Sequence, residues 1–121
     1  TPNVDPDVIR KSVELGMVSM PGCFTATEAL LAIKSGASAL KFFPASALSP
    51  SGVNAIRAIL PKDAVIGAVG GVADADFALW MKIGVKTFGL GSSLYKPGAT
   101  ASEVAAMASR AIKAYDAALS D

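Results

Sequence analysis

Short apolar runs alternate with helical stretches four times along this 121-residue chain, and that alternation constrains the fold more than any single residue does. Each run is too short for a helix and stops at proline or glycine, as buried strands do. Met17 to Met20 reads as a first strand closed by a Pro21-Gly22 turn. Thr25 to Ile33 then reads as a helix. Thr25 and Glu28 have capping-box spacing, in which each side chain satisfies a free amide at the helix start, and Gly36 ends the helix. Ala39 to Phe43 is the second strand, stopped by Pro44, and a helix from Ser51 or Gly52 to Leu60 follows, ended by Pro61. Ala64 to Val69 is the third strand, closed by Gly70-Gly71. Asp74 is placed to cap a helix running to Ile83, with Gly84 at its end. Thr87 to Leu90 is the fourth strand and leads into Gly91-Ser92-Ser93. Thr100 and Glu103 repeat the capping-box spacing and open a long helix towards Leu119, while a separate helix, Pro6 to Leu15, precedes everything and ends at Gly16.

Strands that alternate with helices of this length imply βαβ crossovers and a parallel sheet. The expected fold is α/β. Four βα units preceded by a helix make either half of a (βα)8 barrel or a small open sheet. A complete barrel runs to about 250 residues, so a barrel reading makes this chain the C-terminal half of one, a single domain over residues 1–121. Such a half exposes two strand edges, near Met17–Met20 and Thr87–Leu90, and bare parallel edges invite association. With its start at Thr1-Pro2-Asn3, the chain is expected to be the back part of a longer protein.

Composition narrows the chemistry. Hydrophobic residues make up 52% and charged ones 17%, which is the balance of a packed domain and not of a disordered one. A net charge of +1 without a basic block gives no reason to expect nucleic acid or an anionic membrane as partner. The longest nearly apolar run, Ala64 to Ala73, is too short to span a bilayer. Cys23 is the one cysteine, so no internal disulfide can form, and a cytoplasmic setting is expected. There is no histidine, which removes Ser-His-Asp, Cys-His and His-metal chemistry together. Catalysis must rest on lysine, carboxylate, hydroxyl or backbone groups, with neither a metal nor a cofactor expected.

In a parallel α/β layout, function gathers at the C-terminal strand ends. Lys41 stands there, in Ala39-Leu40-Lys41-Phe42-Phe43-Pro44. A lysine among apolar residues loses solvation for its ammonium, and a neutral amine attacks carbonyls. The alternative is a lysine that snorkels past the strand end into water. Strand alternation puts Lys41 and Phe43 on one face and Phe42 on the other. Gly70-Gly71 and Gly91-Ser92-Ser93 follow the last two strands, where barrels commonly hold phosphate, because glycine lets backbone amides approach an anion. The same glycines could equally make plain tight turns. Asp74, Glu28 and Glu103 read as caps; Asp5, Asp7, Arg10, Lys11, Lys82, Lys86, Lys96 and Lys113 read as solvated. Cys23, Phe77 and Trp80 read as packed side chains.

The segments Pro21-Gly22-Cys23 with Thr25-Ala26-Thr27-Glu28-Ala29, then Lys41-Phe42-Phe43-Pro44, Val69-Gly70-Gly71-Val72 and Gly89-Leu90-Gly91-Ser92-Ser93-Leu94-Tyr95 come in a telling order. Together they resemble the bacterial 2-keto-3-deoxy-6-phosphosugar-acid aldolases over essentially the whole chain. The resemblance implies a class I aldolase on a (βα)8 barrel, a homotrimer that needs no metal and acts on a small phosphorylated 2-keto-3-deoxy sugar acid. Lys41 matches the Schiff-base lysine. Gly70, Gly71 and Ser93 match phosphate-binding positions, with Ser92 a neighbouring candidate, and Phe43 matches a residue beside the reactive centre. Val69 and Leu94 resemble the phosphogalactonate branch more than the phosphogluconate branch. The family's general-base glutamate lies on an early strand with no counterpart in this chain, and Glu14, Glu28 and Glu103 do not replace it.

Overall fold

The computed structural model describes residues 1–120. Helix α1 (Pro6–Glu14) leads into four βα units: β1 (Gly22–Cys23) with α2 (Ala26–Lys34), β2 (Leu40–Phe42) with α3 (Ala45–Arg57), β3 (Ile66–Val69) with α4 (Phe77–Lys82), and β4 (Thr87–Gly89) with α5 (Ala101–Ser120). The strands form one sheet in chain order, every pair parallel. The expected parallel α/β fold and its four strands are therefore present.

Local signals placed most helices. Asp5 caps α1 by accepting from the N–H groups of Asp7 and Val8, and Gly16 leaves the helix at φ 70. Thr25 and Glu28 form the capping box of α2: the Thr25 N–H reaches Glu28 Oε2 at 2.8 Å and the Glu28 N–H reaches Thr25 Oγ1 at 3.2 Å. Thr100 and Glu103 do the same for α5. The carboxylates of Glu28 and Glu103 are held below their ordinary range, each chiefly by backbone N–H donors, from Phe24 and from Thr100 respectively.

Three elements depart from the sequence reading. The first strand is not Met17–Met20 but Gly22–Cys23, so Gly22 sits inside a strand and not in a turn. Met17 and Val18 are an exposed lead-in, and although the Ser19 and Pro21 carbonyls already accept from the next segment, Pro21 has no N–H to give the ladder. In the second unit, helix begins earlier than expected. A first turn, Ala45 to Leu48, starts directly after Pro44; Ser49, at φ 61 and ψ 163, breaks it, and Pro50 restarts it, in a segment that ends at Arg57, short of Leu60. In the third, Asp74 does not cap. A 3-10 turn, Asp74–Asp76, precedes α4, and Asp76 accepts the Ala73 N–H at 2.9 Å. Asp74 instead pairs with Arg110 of α5, whose guanidinium holds its carboxyl below the usual range.

The core lies on one face of the sheet. Cys23, Leu40, Phe42, Ile66 and Ala68 pack under Ala29, Ala32, Ala45, Val53, Phe77 and Trp80 from the helices. Fully burying a side chain the size of Phe42 or Leu40 contributes roughly 1.5–3 kcal/mol. Phe77 stacks on Phe88 at 4.4 Å, Tyr115 meets both edge-on, and its hydroxyl donates to the Lys86 carbonyl at 2.9 Å, which pins α5 beside β4. The β4 edge carries no further strand among the described residues. The β1 edge is partly engaged: the Gly22 N–H donates to the Thr1 carbonyl at 3.1 Å.

Candidate active site

The other face of the sheet is built of different residues. Directly paired residues in a sheet project to the same side. Gly22, Lys41, Gly67 and Thr87 form one such row across all four strands. Lys41 thus has a glycine on either flank, and the space a side chain would take at Gly22 is filled by the Pro2 backbone. A Cβ on Gly67 would collide with the Thr87 hydroxyl and the Met20 methyl, so those two groups floor the row beside Lys41. Lys41 is half-buried, neither sealed in nor free in water. Its Nζ lies 5.8 Å from the centre of the Phe43 ring, within cation–π range, as expected for two residues on one face.

Above this row, at the C-terminal strand ends, a cavity of about 590 Å³ is lined by Phe43, Val69, Gly70, Gly71, Val72, Leu90, Ser92 and Ser93 among others. Lys41 is not part of its wall but reaches it through Phe43. The cavity thus brings together Phe43, Gly70, Gly71, Ser92 and Ser93, while Lys41 stands outside its wall, beside Phe43. Gly70 and Gly71 take φ 91 and 74, values that disfavour any side chain. A Cβ on Gly70 would stand 3.1 Å from the Phe43 ring, so that turn and the aromatic wall depend on each other. The N–H groups of Gly71, Val72, Ser92 and Ser93, like those of Gly70 and Gly91, have no acceptor among the described residues, which leaves several backbone donors around one cavity.

Ser93 has a role the sequence did not reveal. Its hydroxyl donates to the Val72 carbonyl at 3.1 Å and ties the two glycine-bearing loops together. What Ser93 offers a ligand is therefore its N–H, while the exposed Ser92 lines the cavity beside it. Ser46 was also missed. It lies against Gly71, and only the tertiary path of the chain after Pro44 puts it there.

The remaining candidates are engaged elsewhere. Cys23 is 1% exposed, its thiol pushed up to about 11 by burial and by the Glu28 carboxylate against an opposing Lys41 ammonium. It stays a protonated, packed thiol at neutral pH. All three glutamates have partners: Glu14 pairs with Lys11 at 2.7 Å, and Glu28 and Glu103 cap helices. Among the described residues no cluster of three His, Cys, Asp or Glu side chains could hold a metal ion, and no helix is long and apolar enough to cross a membrane.

Comparison with known proteins places the chain in a family. The profile of the KDPG and KHG aldolase family matches residues 1–110. A probable 2-dehydro-3-deoxy-6-phosphogalactonate aldolase of Rhizobium meliloti (strain 1021) is 59% identical over 117 residues, 97% of this chain and 55% of that protein. The 2-dehydro-3-deoxy-6-phosphogalactonate aldolase of Escherichia coli (strain K12) is 46% identical over 115 residues, 95% of this chain and 56% of that protein. The solved structure of native KDPGal superposes with a TM-score of 0.97 at 45% identity, covering 100% of this chain and 59% of that one. The chain spans about half the length of the curated relatives it matches. It belongs to the KDPG and KHG aldolase family.

Proposed function

We propose that this member of the family carries the covalent and phosphate-binding half of a class I aldolase, with Lys41 as its Schiff-base nucleophile. The substrate is 2-keto-3-deoxy-6-phosphogalactonate, cleaved to pyruvate and glyceraldehyde 3-phosphate. The Lys41 amine adds to the C2 carbonyl, water leaves, and an iminium forms. A base removes the C4 hydroxyl proton, the C3–C4 bond breaks, and its electron pair passes into the iminium to give an enamine. Protonation at C3 and hydrolysis then release pyruvate and free Lys41. The observation that carries this reading is the stacking order on the inward face. A lysine flanked by glycines lies beside Phe43, and Phe43 walls a cavity whose two glycine-bearing loops carry unpartnered N–H groups. A phosphate on the Gly70-Gly71 and Ser92-Ser93 loops holds the far end of the substrate, and that remote binding orients C2 against Lys41.

The proton transfers need a positioned acid/base. With its own three glutamates engaged elsewhere, the chain relies on the general base that the family resemblance places on an early strand outside these residues. The same resemblance implies a homotrimer that needs no metal, and the single cysteine favours a cytoplasmic setting. The galactonate epimer is favoured by the two phosphogalactonate-aldolase relatives; the gluconate epimer and 4-hydroxy-2-oxoglutarate are the substrates to assay beside it.

Borohydride reduction in the presence of pyruvate tests the reading. The expected result is a reduced pyruvyl adduct on Lys41 by peptide mass mapping of the full-length protein. Absence of that adduct rejects covalent catalysis and leaves a phosphate-binding barrel enzyme of another class. The 121 residues alone are expected to show little or no aldol cleavage, and robust turnover by them would reject the external general base.

A further inference from the structure

Ser46 is in no motif and does not line the cavity, yet it backs the Gly70-Gly71 turn. Its N–H donates to the Gly70 carbonyl at 3.0 Å. Its Cβ and Oγ stand 2.6 and 2.7 Å from the position a Cβ on Gly71 would take, so its side chain packs flat against the Gly71 backbone. The turn that carries it is anchored at both ends. Ala45 is fully buried, the Ala47 N–H closes on the Pro44 carbonyl at 3.1 Å, and Ser49 ends the turn in a backbone region that is almost reserved for glycine. Ala45–Leu48 is a separate piece held against the third βα loop, set off from the rest of α3.

The consequence follows from peptide planarity. The Gly70 carbonyl and the Gly71 N–H belong to one trans peptide unit and point in opposite directions. A bond that turns the carbonyl back towards Ser46 turns the N–H away from Ser46, and Gly71 itself lines the cavity. We propose that Ser46 is a positioning residue for the phosphate loop: it locks the Gly70–Gly71 peptide with its N–H presented to the anion, which Ser46 itself does not touch. This rests on the phosphate reading given above and names what holds that site in shape. A second contact works with it, since the Ser93 hydroxyl fixes the next carbonyl but one, that of Val72.

The test is a titration of the 121-residue chain with inorganic phosphate, followed through the backbone amide resonances. In the wild type the Gly71, Val72, Ser92 and Ser93 amides are expected to shift. Ser46→Pro removes the donor at the second residue of α3, whose N–H serves no bond within the helix. It is expected to raise the phosphate Kd about tenfold, the size of effect one lost backbone hydrogen bond has. It is also expected to abolish the Gly71 response while the Ser92 and Ser93 responses persist, a selective loss that general unfolding cannot mimic. A Ser46→Pro protein that binds phosphate as the wild type does, with the Gly71 shift intact, overturns the inference. Should that variant not fold, Gly71→Ala is compared with Gly71→Ala/Ser46→Gly. The double variant is expected to recover a severalfold part of the lost affinity, and equal Kd values overturn the inference. No response in the wild type rejects the phosphate reading and this inference with it; a wild-type response with no effect at Ser46 rejects this inference alone.

Discussion

The two faces of this four-stranded sheet are made by the same twelve strand residues in alternation, and they could hardly be more different. Towards the helices stand Cys23, Leu40, Phe42, Ile66 and Ala68, each 2% exposed or less. On the other side stand Gly22, Lys41, Gly67, Thr87 and, one row up, Val69 and Gly89. One face is filled to exclude water. The other uses glycine at Gly22, Gly67 and Gly89, so that Pro2, Met20, Thr87 and Val69 pack close beside a single lysine, below an open cavity. Stability and chemistry are thus separated by the pleat, residue by residue, and neighbours one position apart should respond to mutation in opposite ways.

The neighbours Lys41 and Phe42 offer the largest test of that separation. Lys41→Met keeps the stem and removes the amine. The pyruvyl adduct trapped by borohydride is expected to vanish completely, while the unfolding free energy from urea titration changes by no more than about 0.5 kcal/mol. Phe42→Ala is expected to do the reverse at the level of folding, with a loss of about 3–5 kcal/mol from the cavity left under α2 and α3. If Lys41→Met destabilised the chain as much as Phe42→Ala, the inward face would be structural and the comparison would fail.

Gly67 probes that close packing. It is buried, yet any Cβ there would run into Thr87 and Met20. Gly67→Ala is expected to cost about 1–3 kcal/mol, as overpacking does. It should also slow adduct formation at Lys41, because the displaced Met20 and Thr87 side chains must move into the space beside the lysine. Crystal or solution structures showing Gly67→Ala accommodated without movement of Met20 would break the link between this row and Lys41.

How much of this was legible in the chain depends on the range of the interactions involved. The capping boxes at Thr25–Glu28 and Thr100–Glu103 were readable because both partners lie within one helical turn. The shared face of Lys41 and Phe43 was readable because strand alternation is a local rule. The displaced first strand was not, because Met17 and Val18 look like strand residues and only the pairing partner decides where the ladder begins. Asp74 failed as a cap for a similar reason: Arg110, 36 residues on, takes its carboxylate. The glycine row around Lys41, the Ser93 hydroxyl on Val72 and Ser46 behind Gly71 all depend on register between strands far apart in sequence. Candidate residues could be named from the chain; what holds them in place could not.

The smallest expected effect lies at the rim between the two faces, where α2 begins directly after β1. Glu28 caps that helix through its charged form, accepting from the N–H groups of Phe24 and Thr25 at 2.8 Å each. These donors bond the carboxylate and hold its pKa in the folded chain below the ordinary 4.5, while the unfolded chain keeps the ordinary value. The unfolded state therefore binds the proton first as pH falls. The contribution of Glu28 to stability is fully present above about 4.5 and is lost as pH drops through the lower folded value. Glu28→Gln can still accept at the same positions but does not titrate. In urea titrations the wild type is expected to exceed Glu28→Gln by a small margin at neutral pH, and the margin should close as pH falls through the lowered folded value. Lys41 trapping, measured in parallel near neutral pH, should be alike in both proteins. A margin that widens in acid would reverse the sign of the linkage, and a loss of trapping in Glu28→Gln would mean that the rim and the inward face are not independent.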